Sequence, residues 1–394
     1  MTTPPDNLIQ PMRLGEGATI TGPRNPSREA EARDLVRPPV TDKGSLPNLR
    51  WSFADSHNRI EPGGWAREAT VRELSVSTAM AGVNMRLDAG AVREMHWHKT
   101  AEWSYVLRGQ ARITAVDEDG HTFQDDVGEG DLWYFPPGIP HSIQGIGADG
   151  VEFLLVFDDG SFSEDSTMLI SDLFARLPRD VLAKNLGWDE GALADIPDKE
   201  LYIFQAAVPG PLDVDRIAGA GRVPRWFSHA MAAQEPLRFR GGTVRITDSS
   251  NFPASTRFAA ALVEVEPGAM REVHWHPNSD EWQYYIEGQA RMTVVSTGNS
   301  SRTFDFQAGD VGYVPVSLAH YVENTGSTTL RFLEVFTSSR YADVSLAQWV
   351  ALTPHELVAA NLRLSRPLLD ALPARKHPVV PAQGDTGQQG RGQK

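Results

Sequence analysis

The sequence predicts an all-β protein made of two tandem antiparallel barrels of the jelly-roll type. Three observations carry this reading. The 394 residues exceed one ordinary domain at roughly 150 residues each. The chain also contains itself twice: REMHWHKTAEWSYVLRGQARIT, from Arg93, returns as REVHWHPNSDEWQYYIEGQARMT, from Arg271, and FLLVF ending at Phe157 returns as FLEVF ending at Phe336. Within each copy, stretches such as YVLRGQARITAV alternate apolar and polar residues. Gly or Pro punctuates them about every 8 to 12 residues, the spacing of short barrel strands.

Taken in order, residues 1–50 are rich in Pro, Arg and Gly and predict an extended N-terminal arm. Residues 51–200 hold the first copy and residues 201–380 the second. After each barrel, apolar residues at spacings of three and four predict helices over residues 169–186 and 346–362. There LFARLPRDVLAKNL corresponds to QWVALTPHELVAANL. Residues 381–394 are poor in apolar residues and predict a disordered tail.

Composition removes several classes of function. There is no cysteine, so disulfides, thiolate nucleophiles and Cys-ligated zinc or iron–sulfur sites are excluded. A net charge of -14 argues against nucleic acid and anionic membranes as partners. It leaves room for a small anionic substrate, because a metal or an arginine reverses the local field. The N-terminus lacks a basic stretch followed by an apolar one, and no apolar run approaches the roughly 18 residues of a membrane span. The expected location is cytoplasmic.

Six of the eleven histidines fall inside the repeat. On a strand, residues two apart share a face, so His96 and His98 aim both imidazoles into one space while Trp97 points away. A turn brings Glu102 alongside, and His141, after PPGIPH, closes the set from a neighbouring strand. The second copy repeats it with His274, His276, Glu281 and His320, and Trp275 in the place of Trp97. Three imidazoles and one carboxylate suit Mn²⁺, Fe²⁺, Ni²⁺ or Zn²⁺. A six-coordinate ion would keep two positions open. Trp97 and Trp275 are read as packing or interface residues, and His57, His121, His229, His355 and His377 as ordinary strand or surface histidines.

The spacing Gly90-x5-His96-x-His98-x3-Glu102-x6-Gly109 fits the first cupin motif, as does Gly268-x5-His274-x-His276-x4-Glu281-x6-Gly288. Gly130-x5-Pro136-x-Gly138-x2-His141 fits the second motif. Gly145 stands where that motif has Asn, and Ser317 replaces the Gly in the second copy. The chain resembles a bicupin, and within that family the bacterial oxalate decarboxylases, from about Gly17 to Pro381. TDKGSLPNLRWSFADSHNR, HWHKTAEW, LLVFDDGSFSEDST and YADVSLAQW carry this narrower resemblance.

The resemblance implies conversion of oxalate to formate and CO₂, two Mn²⁺ per chain, O₂ as a co-catalyst that is not consumed, and a homohexamer formed as a dimer of trimers. By composition alone Glu164, in SEDST, is a solvated loop carboxylate. By resemblance it is the acid/base group of a lid that includes Gly160, Ser161 and Ser163. Asp165 stands where the family usually has Asn. Arg93 lies an odd number of residues from His96, so spacing alone leaves its face open. The resemblance implies that it polarises bound oxalate, with Arg271 as its counterpart. The second copy has TSSRYADVS in place of the SEDST segment, and Glu334 where the first has Leu155. This predicts that the N-terminal site is the main catalytic centre and the C-terminal metal chiefly structural or electronically supportive. The alternatives are an oxalate oxidase on the same fold, releasing CO₂ and peroxide, a different small-acid enzyme, and a non-enzymatic storage bicupin, which intact ligand sets disfavour.

Overall fold

The computed structural model describes residues 9–384. Residues 1–8 of the expected arm and 385–394 of the expected tail lie outside the described residues. Each sequence repeat forms a barrel of two antiparallel sheets. In the first barrel, Asn58–Glu61, Gly64–Ala69, Ala81–Leu87 and Val151–Phe157 lie side by side and continue onto the first half of Glu102–Val116. The opposing sheet contains Thr122–Gly128, the second half of Glu102–Val116, His141–Gly145 and Val92–Trp97. One long strand therefore serves both sheets, and it changes sheet at Gly109. That residue has φ +83°, and a Cβ there would sit 2.1 Å from the Gly150 carbonyl oxygen. Gly288 holds the same corner in the second barrel with φ +87°.

Near-continuous burial of Ala81–Leu87 and Val151–Phe157 has a tertiary cause. One face lines the first barrel and the other packs against the second. A single core joins Phe53, Val83 and Tyr134 with Phe258, Trp282 and Val335. Gly82 is small because the Trp282 ring lies on it: an added Cβ would be 2.3 Å from that ring.

The two halves also exchange edge strands. Arg50–Ser52 pairs with Asp310–Val314 of the second barrel, and Ser228–His229 pairs with Leu132–Phe135 of the first. Ahead of this, residues 9–49 are not simply extended. They contain two short helices, Pro26–Glu31 and Arg33–Val36, and Arg50 reaches from the edge strand to the buried Asp34 at 3.3 Å.

Each expected helical run is split in two. Ile170–Arg176 and Arg179–Leu186 replace the first, and Leu346–Leu352 and His355–Leu362 the second. The break falls where the residue before Pro178 or Pro354 is extended, with ψ 144° at Leu177 and 143° at Thr353. The proline ring disfavours a helical conformation in its predecessor. Among the described residues no helix is long and apolar enough to cross a membrane.

Gly109 and Gly120 separate two effects, since Gly120 has φ +78° but nothing within 4 Å of an added Cβ. Gly120→Ala is expected to cost about 1 kcal/mol for the left-handed backbone. Gly109→Ala is expected to cost about 2–4 kcal/mol, because overpacking adds to the same backbone penalty. Denaturant midpoints of the two variants measure the difference, and equal costs would show that the Gly150 contact contributes nothing.

Candidate functional site

In the first barrel His96 and His141 face each other across adjacent strands, and Glu102 begins the strand beside them. His96, His98, Glu102 and His141 present ligand atoms all within 4.8 Å of one another, and all four side chains are buried. His274, His276, Glu281 and His320 do the same in the second barrel. The structure thus brings all eight sequence-predicted ligands into two groups.

Backbone carbonyls orient the imidazoles. His96 Nδ1 meets the Glu94 carbonyl at 2.6 Å, His98 Nδ1 that of Thr100 at 2.8 Å, and His141 Nδ1 that of Ile139 at 2.8 Å. With Nδ1–H donated outward, each Nε2 lone pair faces the centre, the arrangement that second-sphere partners impose on metal-binding histidines. In the second barrel the carbonyls of Glu272, Ala342 and Leu318 do this for His274, His276 and His320.

The carboxylates are held by different means. Trp133 Nε1 donates to Glu102 Oε1 at 2.9 Å. In the second copy Gly312 occupies the position of Trp133, and Gln283 Nε2 donates to Glu281 Oε1 at 2.8 Å. Tyr285 in turn donates to Gln283 Oε1. The other oxygens turn inward: Glu102 Oε2 lies 3.2 Å from His98 Nε2 and 3.3 Å from His141 Nε2.

These groups fit a metal ion. His141 Nε2, His320 Nε2 and Glu281 Oε2 are buried without a hydrogen-bond partner among the described residues. Each such atom costs about 1–3 kcal/mol if left unsatisfied, and a shared cation satisfies them together. Burial, reinforced by Arg93, holds the His96 imidazole well below its usual range, and burial with Arg271 does so for His274. Burial also pushes the Glu102 carboxyl up, but the neighbouring His141 and His98 outweigh it and leave the group well below the carboxylate range. For His96, His274 and Glu102 these directions favour the neutral imidazole and the ionised carboxylate, the forms that bind metal.

The strand register decides the face of Arg93. His141 pairs with His96, yet Ile143 pairs with Arg93. Glu94 and Met95 together lie opposite Ser142 alone, which is a β-bulge. The bulge turns Arg93 to the interior with His96 and leaves Met95 exposed. The second copy repeats it between Arg271 and His274.

Arg93 Nη2 donates to Glu164 Oε2 at 2.7 Å inside the barrel. The Tyr202 hydroxyl donates to the same oxygen at 3.1 Å, and burial, with Glu164 beside it, pushes that phenol well above its usual range. The Arg93 guanidinium also lies 4.3 Å from the Tyr202 ring centre. Glu164 sits in a short 3₁₀ turn, Glu164–Ser166. Its backbone N–H donates to Glu68 at 2.7 Å, and its carbonyl accepts from Thr167 Oγ1 at 2.7 Å. Arg93 Nη1 has no hydrogen-bond partner among the described residues, so one buried cationic donor remains for an anion. Next to it, the buried Glu94 carboxylate accepts N–H groups of Ser171, Leu201 and Tyr202, tying the helix start and the 201–202 segment to the bulged strand.

The second site treats its arginine differently. Arg271 donates from Nε to Glu334 at 3.3 Å, from Nη1 to the Pro378 carbonyl at 3.3 Å, and from Nη2 to Tyr341 at 2.8 Å and Asp343 at 2.6 Å. Burial pushes Glu334 up against the pull of Arg271. Burial also acts on Asp343, but Arg271 and Lys376 overcome it and lower that carboxyl to about 2. Met168–Leu169 and Val344–Ser345 pair with matching residues of the two motif strands. Asp343 therefore stands where the first copy has Thr167. The intervening segment, 337–343, is three residues shorter than 158–167.

Sequence reasoning missed Trp133, Glu94, Thr167, Tyr202 and Asp343. The Arg-Glu pair repeated in both copies was a signal for Glu94. Tyr202 carried none, because it reaches Arg93 from a distant segment.

Residues 52–192 and 228–368 each match the Cupin family. The chain is 54% identical to oxalate decarboxylase OxdC of Bacillus subtilis (strain 168), over 95% of this chain and 97% of that protein. It is 39% identical to a probable oxalate decarboxylase of Arthroderma benhamiae, over 93% and 91% of the two chains. A solved structure of the Bacillus enzyme, from work assigning EPR fine-structure parameters of its Mn(II) centres, matches with TM-score 0.93 and 54% identity over 95% of this chain and 99% of that one. Another, a variant whose Ser-Glu-Asn-Ser segment is replaced by Asp-Ser-Ser-Asn, matches with TM-score 0.93 and 53% identity over 96% and 100%.

Trp133→Phe removes the donor to Glu102 Oε1 and trims a fully buried ring that packs on Phe153. It is expected to weaken divalent-ion binding at the first site about 10- to 100-fold and to leave the second unchanged. Chelator competition with metal analysis measures this, and two sites of unchanged affinity would show that Trp133 does not orient Glu102.

Proposed function

The chain belongs to the bicupin oxalate decarboxylase family, and we propose that it converts oxalate to formate and CO₂ with two manganese(II) ions per chain. His96, His98, Glu102 and His141 hold one ion, and His274, His276, Glu281 and His320 the other. Residues 51–200 form the catalytic unit and residues 201–380 carry the second metal. The single observation that carries this division is the Arg93–Glu164 pair, enclosed beside the first ligand set with Arg93 Nη1 left free, where the corresponding Arg271 is engaged by Glu334, Tyr341, Asp343 and the Pro378 carbonyl.

When bound, manganese(II) with O₂ supplies open positions for an anionic carboxylate and a way to take one electron from the substrate and later return it. This chain's own residues do the rest. The free Arg93 Nη1 donates to an oxalate carboxylate, a charge-assisted contact that fixes its orientation. Glu164 Oε2, which already accepts from Arg93 and Tyr202, takes the proton of hydrogen oxalate as the electron leaves. That removal weakens the bond between two electron-poor carbons, and CO₂ departs. The remaining formate-level radical anion needs one electron and one proton, and Glu164 returns the proton to carbon. The sum is hydrogen oxalate to CO₂ and formate, with no net oxidation. If the radical instead loses its second electron to O₂, the products are CO₂ and peroxide. Position and protonation of Glu164 thus separate decarboxylase from oxidase.

At the second site, Glu334, Asp343 and Tyr341 already engage Arg271, which supports a structural or electronic role for that metal. Family membership supports assembly as a homohexamer, a dimer of trimers.

The test incubates manganese-loaded protein with oxalate under air at mildly acidic pH and measures formate and peroxide together. About one formate per oxalate is expected, with little peroxide. Glu164→Gln is expected to lower the formate rate by about 10²- to 10⁴-fold, the contribution of a positioned acid/base group, while Glu334→Gln retains most of it. Loss of decarboxylation in Glu334→Gln with retention in Glu164→Gln would reverse the division of labour, and peroxide without formate would identify an oxidase.

A further inference from the structure

The segment that carries Glu164 has space on both sides. A cavity of about 330 Å³ lies behind it, lined by His57, Arg59, Glu68, Asp165 and Tyr202. Another of about 420 Å³ lies on the other flank, lined by His98, Phe162, Ser163, Ser166 and Met168. Phe162 anchors the start of the segment against Phe157 and His98, and polar contacts hold the Glu164–Ser166 turn beyond it. Three of these, from Arg93 and the Tyr202 hydroxyl to the Glu164 carboxylate and from the Glu164 N–H to Glu68, involve the proposed catalytic residue itself. The contact of Asp165 with Arg59, at 3.1 Å, does not.

Arg59 is built to hold that contact. It lies in the strand Asn58–Glu61, with Nε on Glu61 at 2.9 Å and Nη2 on Glu200 at 2.8 Å. Its guanidinium carbon lies 3.6 Å from the Tyr202 ring centre, a cation–π contact. Those partners fix the cation and leave Nη1 for Asp165, whose side chain is 79% exposed. Tyr202 is the ring that also meets Arg93 and donates to Glu164. One guanidinium therefore grips the lid and steadies the phenol behind the acid. The lid here reads SEDS, against Ser-Glu-Asn-Ser in the Bacillus enzyme, so the contact is ionic where that relative has a neutral amide.

We propose that Arg59 and Asp165 form an ionic latch that keeps the lid closed with Glu164 against Arg93, and that they are positioning residues setting the ratio of formate to peroxide. The effect on products rests on the reading above; the latch itself does not. A lid equilibrium near balance responds to small energies. An exposed ion pair is screened by salt, so the latch weakens as ionic strength rises.

The experiment measures hydrogen exchange of the peptide spanning residues 160–168 in the intact manganese-loaded protein without oxalate, at low and high salt. It compares wild type, Arg59→Ala, Asp165→Asn, Asp165→Ala and the double alanine variant. Asp165→Ala is expected to speed lid exchange about two- to fivefold at low salt, the range of an exposed ion pair. Asp165→Asn is expected to fall between it and wild type. High salt is expected to remove the difference, and Asp165→Ala to add nothing in the Arg59→Ala background. Formate-to-peroxide ratios are expected to fall in the same order. Additive effects of the two alanines, or lid exchange unchanged in both Asp165 variants, would overturn the latch. Lid exchange that responds while oxalate gives neither product would leave the latch standing and overturn the substrate reading instead.

Discussion

A guanidinium buried beside each ligand cluster must be compensated, and the manner of compensation organises both sites. An ion removed from water carries a penalty of several kcal/mol unless it is paired. In the first barrel the partner of Arg93 is Glu164, on a segment flanked by space. In the second the partners of Arg271 are Glu334, from a barrel strand, and Asp343, on a shorter segment that Lys376 also engages. The first arrangement leaves Arg93 Nη1 without a partner among the described residues. The second is closed by its own side chains. Two copies of one fold thus differ in the anions that each supplies to its arginine, while their ligand sets stay the same.

The bulge in each motif strand makes this possible. An unbroken strand would put Arg93 and His96 on opposite faces. One extra residue brings both inside, and Glu94 and Glu272 stay buried alongside. Glu94 then binds the backbone of the segments that close the barrel mouth, including Tyr202. The same local irregularity orients the arginine and anchors the ring that steadies the acid. The barrels also depend on each other: they share one core and exchange short edge strands.

Much was legible in the amino-acid order because it rests on local periodicity or direct repetition. Residues two apart on a strand share a face, so His96 with His98 and His274 with His276 could be placed together without a structure. The repeat supplied Glu102, His141 and their counterparts, and a net charge of -14 with no cysteine removed whole classes of chemistry. Pro178 and Pro354 were visible too, but helical periodicity was read across them. Each expected helix is two, because a proline constrains the backbone of its predecessor even where the apolar pattern continues.

Tertiary structure decided what depends on register and on contacts between distant segments. The face of Arg93 depended on a one-residue bulge that spacing cannot reveal. Tyr202, Trp133 and Asp343 reach their sites from other strands and loops, and no local pattern marks them. The sequence by itself determined that the protein has two cupin barrels, each with three imidazoles and a carboxylate, because those features are written in short repeated spacings. Which arginine keeps a free donor, and which acids reach it, was decided only when the chain closed, because a buried charge takes whatever partners folding brings within reach.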